Sequence, residues 1–153
     1  MREALAMELD RRKGFSLIEL LIVVAVIAII AAIAVPNLLS SKKAANEAAA
    51  IAHIRTWSSA QEIYLTRHGI YASSEEELVA DGLVGTPDPE QLGYVFSIDN
   101  PSGLRDRWWG SARPQEPGVS GDRYFYIDQT GAIRWSREGP ATAESPPLDS
   151  SPH

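Results

Sequence analysis

The sequence predicts an α+β protein. Its long N-terminal membrane-spanning helix is kinked at Pro36, and the C-terminal half of that helix packs on a small antiparallel β-meander. Three observations predict this. From Phe15 to Val35 only Ser16 and Glu19 are polar. Beyond Pro36, apolar residues recur at steps of three and four through Leu65. After Gly69, short stretches rich in aromatic and β-branched residues are separated by Gly, Pro, Asn and Asp.

The length of 153 residues leaves room for one modest domain and one additional element. A net charge of -6 and a pI near 5.0 lack the basic face that phosphate binding needs, so no nucleic-acid partner is expected. With no cysteine, neither a disulfide framework nor a thiolate metal site can form.

The Phe15–Val35 run, as a helix rising about 1.5 Å per residue, spans roughly 30 Å, the thickness of a bilayer's hydrocarbon core. Arg2, Arg11, Arg12 and Lys13 precede it, whereas Lys42 and Lys43 follow it. The positive-inside rule therefore places the N-terminus in the cytoplasm and the rest of the chain outside. Ala32-Ile33-Ala34 has the small-x-small form of a secretory cleavage site, but the run is long for a signal core and helix signals continue past it.

Glu19 is the costly residue. An acid deep in a spanning helix costs up to about 2.5–3.5 kcal/mol, and such acids usually have a partner. No Lys or Arg lies between Phe15 and Val35. Cleavage after Gly14 would create a cation, because Phe15 would then carry a free α-amino group. Glu19 is one helical turn further on, on the same face, so the amine meets either its own Glu19 or that of a neighbouring helix. An uncleaved signal anchor that tolerates Glu19 near the membrane edge is the alternative.

Pro36 removes a backbone donor and its ring meets the carbonyl of Ala32, which predicts a kink. Helix signals then run to Gly69, a natural stop. Ile51, Ile54, Trp57 or Ser58, Gln61 and Leu65 form its sheet-facing stripe, and Trp57 and Tyr64 are expected in the core. Asn46–Ala52 carries little bulk, suiting close helix approach or a solvated face. His53 and His68 have no third imidazole before His153, and so no metal signature.

Ser73 or Ser74 followed by Glu76 or Glu77 predicts a capped short helix to about Ala80, and Gly85–Pro89 a loop. Strands are expected at Tyr94–Asp99, Arg107–Arg113, Tyr124–Ile127 and Ala132–Ser136, with tight turns at Asn100–Gly103 and Asp128–Gly131. The meander should bury Tyr94, Phe96, Trp108 or Trp109, Phe125 and Ile127. Glu138–His153, rich in Pro, Ser and Ala, is expected to be disordered.

Lys13-Gly14-Phe15-Ser16-Leu17-Ile18-Glu19-Leu20, with its basic leader, apolar run and Pro36, resembles the class III signal of type IV pilins and type II secretion pseudopilins. The resemblance implies cleavage after Gly14 and N-methylation of Phe15 by a prepilin peptidase/N-methyltransferase. It makes Glu19 the assembly carboxylate and Pro36 the helix-kinking proline. The resemblance covers roughly the first third of the chain, and with the residue reading beyond it the chain divides into a leader (1–14), an assembly helix (15–36), an amphipathic helix (37–68), a head (69–137) and the tail (138–153).

The expected partners are further pilin copies, the peptidase, an inner-membrane assembly platform and, before assembly, membrane lipid. The precursor would sit in the inner membrane and the product in a pilus or pseudopilus. Many pilins staple a C-terminal loop with a disulfide, which this chain cannot do. Some major pseudopilins hold calcium near that loop, and Asp99, Asp106, Asp122 and Asp128 could converge on one. They form no contiguous ligand loop, so turn formation and solvation are the favoured reading, with no metal and no cofactor. No catalytic residues are expected, since phosphate-loop, His-x-x-x-His and cysteine-nucleophile signals are all absent. A membrane-anchored binding or sensor domain is the second reading.

Overall fold

The structure is a computed structural model that describes residues 14–86, 88, 92–100 and 105–149. The leader up to Lys13, most of the Asn100–Gly103 turn and part of the Gly85–Pro89 loop lie outside the described residues. Its elements are α1 (Leu17–His68), α2 (Glu75–Ala80), β1 (Tyr94–Asp99), β2 (Trp109–Pro114), β3 (Tyr124–Asp128) and β4 (Arg134–Ser136). The chain divides into two compact units, Met1–Leu38 and Leu39–His153.

In the N-terminal unit the described chain is all helix from Leu17 onward, and α1 continues through Pro36. Alanine and unbranched side chains favour helix, and the β-branched Ile and Val cost only tenths of a kcal/mol each, about 0.5 at most. The helix is long and apolar enough to cross a membrane.

The C-terminal unit is built on the second half of α1. Ala50, Ile54, Trp57, Ala60 and Gln61 are buried along one face, and Ile51, Tyr64 and Leu65 flank them. Gln61 is polar yet fully buried because it mimics a backbone partner. Its amide nitrogen donates to the Ala72 carbonyl at 3.1 Å and its oxygen accepts from the Ala72 nitrogen at 2.8 Å. Both halves of the amide are thereby satisfied, which removes the penalty of burying it.

The sheet is an antiparallel meander in the order β1-β2-β3-β4. Its inward face buries Tyr94, Ile98, Ala112, Phe125 and Ile127 against α1, while Phe96 is only partly buried. Of the two adjacent tryptophans, Trp108 enters the core just before β2, and Trp109 stays half-buried on the other face. Gly110 lets the sheet approach α1 closely, for a Cβ there would lie 2.4 Å from the Trp57 ring. Gly131, at φ 74°, closes the β3–β4 turn by donating to the Asp128 carbonyl at 2.9 Å.

Boundaries shift where burial overrides propensity. The second strand begins at Trp109 rather than Arg107, and the fourth at Arg134 rather than Ala132. Ser74 is the N-cap residue of α2 without a side-chain cap bond. The Glu77 carboxylate instead accepts from the Ser73 nitrogen and hydroxyl, at 2.8 and 2.9 Å.

The tail departs most from expectation. Residues 138–149 are folded, not disordered, and the rest of the expected tail, 150–153, lies outside the described residues. Arg134 bridges antiparallel to Pro147, the Trp135 nitrogen donates to the Pro146 carbonyl at 3.0 Å, and the Leu148 nitrogen donates to the Ile133 carbonyl at 2.8 Å. The Arg134 guanidinium adds a 2.9 Å bond to the Ser145 carbonyl. Ala141 is buried and Leu148 packs on the core. The physical reason is that β4 is a short edge strand whose open backbone groups take any nearby extended segment. Prolines suit that role, since they supply carbonyls without needing to donate.

Candidate functional site

Gly14, Phe15 and Ser16 precede α1, and the Leu20 nitrogen closes the first turn by donating to the Ser16 carbonyl at 3.1 Å. Glu19 lies in that first turn, where a negative charge faces the positive end of the helix dipole. Phe15 and Glu19 are both exposed, a helical turn apart, and among the described residues Glu19 enters no ion pair. A Cβ placed on Gly14 meets no atom within 4 Å. Among the described residues nothing therefore demands glycine there.

From Phe15 to Leu38 the large apolar side chains point to solvent on every side of α1. Phe15 is 77% exposed, Ile18 65%, Ile27 58% and Leu38 71%. A helix that is apolar all round needs an apolar surrounding, either lipid or other helices. Pro36 lies inside this stretch.

The C-terminal unit holds α1 by polar contacts that the sequence did not reveal. Glu47, buried among alanines, accepts from the backbone nitrogens of Asp122 and Arg123 at 2.9 and 3.2 Å, and from Arg123 Nε at 2.8 Å. The Asn46 amide donates to the Ser120 carbonyl at 2.8 Å, and Lys43 Nζ reaches the Asp122 carboxylate at 3.0 Å. Tyr94 donates to the Arg123 carbonyl at 2.8 Å, and burial, reinforced by Glu47, pushes its hydroxyl far above the usual tyrosine range. The Arg123 guanidinium also lies over the rings of Phe125 and Trp135.

Thus Asn46–Ala52 is neither bare nor merely small. Its first two residues clamp the loop between β2 and β3. The one available signal was an Asn-Glu pair interrupting an alanine run. Glu47→Ala should lower stability by about 3–5 kcal/mol, because it strands a largely buried guanidinium and two backbone donors. Thermal melting of the full chain in micelles, with Glu47→Gln retaining part of the loss, checks this.

A second polar cluster ties α2 to α1. Glu75, nearly buried, accepts from Trp57 Nε1 at 2.9 Å and pairs with His53 Nε2 at 2.6 Å. His68 and Arg67 both meet Asp81, and the His68 hydrogen bond leads in holding that carboxyl below its usual range. His53 and His68 are therefore each engaged with a carboxylate. The four aspartates do not converge: Asp122 meets Lys43, Asp128 meets Thr130, Asp106 meets Arg107 and Asp99 meets Ser97. Among the described residues no group of three or more His, Asp or Glu side chains is placed to hold a metal.

Residues 9–35 match the family described as the prokaryotic N-terminal methylation motif. Over 118 residues the chain is 32% identical to the type II secretion system core protein G of Vibrio cholerae, covering 74% of this chain and 77% of that protein. The chain belongs to the type IV pilin and type II secretion pseudopilin family. It is also 45% identical over 86 residues to the type IV wide pilus major component PilA4 of Thermus thermophilus, covering 56% of this chain and 63% of that one. A 32% match over 84 residues to the core protein G of Pectobacterium carotovorum covers 55% and 54%. These last two alignments thus span less than two thirds of the relatives' own lengths.

Proposed function

We propose that this chain is a prepilin: a structural subunit, not an enzyme, that polymerises through its N-terminal helix into a type IV pilus or type II secretion pseudopilus. The observation that carries the reading is the end of α1. An apolar surface exposed on every side begins at Phe15, directly after Gly14, with one carboxylate in its first turn.

The steps are those the resemblance of Lys13–Leu20 implies. In the precursor, Phe15–Val35 lies in the inner membrane, with the N-terminus cytoplasmic and the C-terminal unit outside. A prepilin peptidase cuts after Gly14 and methylates the new Phe15 amine. The amine stays cationic and pairs with a Glu19 carboxylate on an adjacent helix, setting axial register as lipid around α1 is replaced by neighbouring helices. The assembly platform presents the subunits, and Pro36 gives α1 a place to bend because the Ala32 carbonyl lacks its usual donor.

N-terminal sequencing and mass spectrometry of protein from cells test the reading. A mature chain starting at methylated Phe15 is expected, and one that retains Met1 would point to an uncleaved anchored domain. Because a side chain at Gly14 disturbs nothing in the fold, Gly14→Val should leave the C-terminal unit's melting temperature unchanged while abolishing cleavage. Efficient removal of the leader from that variant would show that the cut is not made at a glycine-specific site.

A further inference from the structure

The outer face of the sheet, away from α1, carries a cavity of about 320 Å³. Two of its lining residues, Trp109 and Tyr126, are aromatic. Trp109 on β2 pairs in register with Asp128 on β3, and Tyr126 lies two residues back along β3, so both rings stand on one face as diagonal neighbours. Both are half-buried. The rim is polar and of mixed sign, with Asp106 and Arg107 on one side and Asp128 and Gln129 on the other. Ala143 of the C-terminal segment also lines it.

The groups here are presented in fixed states. Thr130 donates from its nitrogen and hydroxyl to Asp128 Oδ1, at 2.9 and 2.5 Å, which locks the orientation of that carboxylate. Burial, with Asp128 and Glu144 adding to it, raises the Tyr126 hydroxyl above its ordinary range, so it remains a hydrogen-bond donor at neutral pH. Arg107 donates, Asp106 and Asp128 accept, and the Gln129 amide does both.

We propose that this cavity binds a neutral saccharide. Asp106 and Arg107 neutralise each other across 3.4 Å and the Asp128 carboxylate is held by Thr130, so the rim offers hydrogen bonds with its charges already partnered, which favours a ligand without net charge. Two aromatic walls call for an apolar ligand face, and the rim calls for vicinal groups that each donate and accept. A pyranose ring combines these features: its C–H face stacks on an aromatic ring and its equatorial hydroxyls reach outward. The cavity lies within the volume range of small-ligand sites, at its lower end, which suits one or two sugar rings. The inference is independent of the filament reading, since it uses only the sheet and the tail.

The test is saturation-transfer-difference NMR on the full chain in phosphocholine micelles, avoiding detergents with sugar headgroups. The probes are maltotriose, cellotriose, mannotriose and chitotriose, with tetramethylammonium and methanesulfonate as charged controls. Transfer to at least one trisaccharide is expected. Trp109→Ala should weaken it by about tenfold or more, corresponding to loss of one stacking wall. Gln129→Ala, at an exposed turn position that does not threaten folding, should weaken it several-fold, and near-UV circular dichroism verifies that both variants remain folded. The proposal is overturned if no trisaccharide shows transfer at millimolar concentration. It is equally overturned if transfer survives both substitutions, or if only a charged control binds at these residues.

Discussion

Glu19→Ala is expected to enter the membrane, to be cleaved after Gly14, and to build no filaments. Insertion should be intact or improved, because the substitution removes the one expensive group from the apolar run. Cleavage should survive, because the cut lies on the far side of Phe15 and the Glu19 side chain is exposed, supporting no neighbour. Assembly should fail because each incoming amine would be desolvated without its carboxylate. Removing one partner of a buried pair costs roughly 3–5 kcal/mol, and every added subunit would repeat that cost.

Glu19→Gln separates charge from shape, since it keeps the size and an acceptor oxygen but loses the anion. It should fail nearly as badly if pairing is electrostatic. Electron microscopy of sheared filaments, from cells lacking the wild-type protein, provides the readout. Wild-type filament yield from either variant would show that Glu19 is not the docking group.

Truncation after Arg137 is expected to destabilise the C-terminal unit by at least about 3 kcal/mol. Two backbone hydrogen bonds to the edge of the sheet and the Arg134–Ser145 bond would be lost, each worth about 1 kcal/mol, together with the packing of Leu148 on the core. For a unit of this size that corresponds to a fall of roughly 12–24 °C in melting temperature. Circular dichroism melts of the full and truncated chains in the same micelles measure it. An unchanged midpoint would mean that the tail lies on β4 without contributing to its stability.

Serine and proline content alone gives the opposite expectation for the tail. A low-hydrophobicity segment looks unable to order itself, and by itself it is. Its order comes from β4, whose unpaired edge offers backbone partners that no property of residues 138–149 announces. The same limit hid the Glu47 clamp. An acid in an alanine-rich helix reads as a solvated face, and only the loop ending at Arg123 turns it into a buried acceptor. Trp108 and Trp109 were indistinguishable for a related reason: period-2 alternation says that one faces inward, and the strand register decides which.

By itself the sequence determined what depends on neighbours along the chain. The apolar run from Phe15 with Glu19 at its start, the helix that stops at Gly69, the four strands and the turn at Gly131 all follow from local spacing and backbone preference. Tertiary structure alone decided what depends on residues far apart: the clamp of Glu47 on Arg123, the paired fates of His53 and Glu75, the tail on β4, and the cavity that Trp109, Tyr126 and Ala143 line together. Helical and strand periodicity are short-range properties, legible over a dozen residues. A buried polar group is stable only once its distant partner is fixed, and that partner is chosen by the packed sheet.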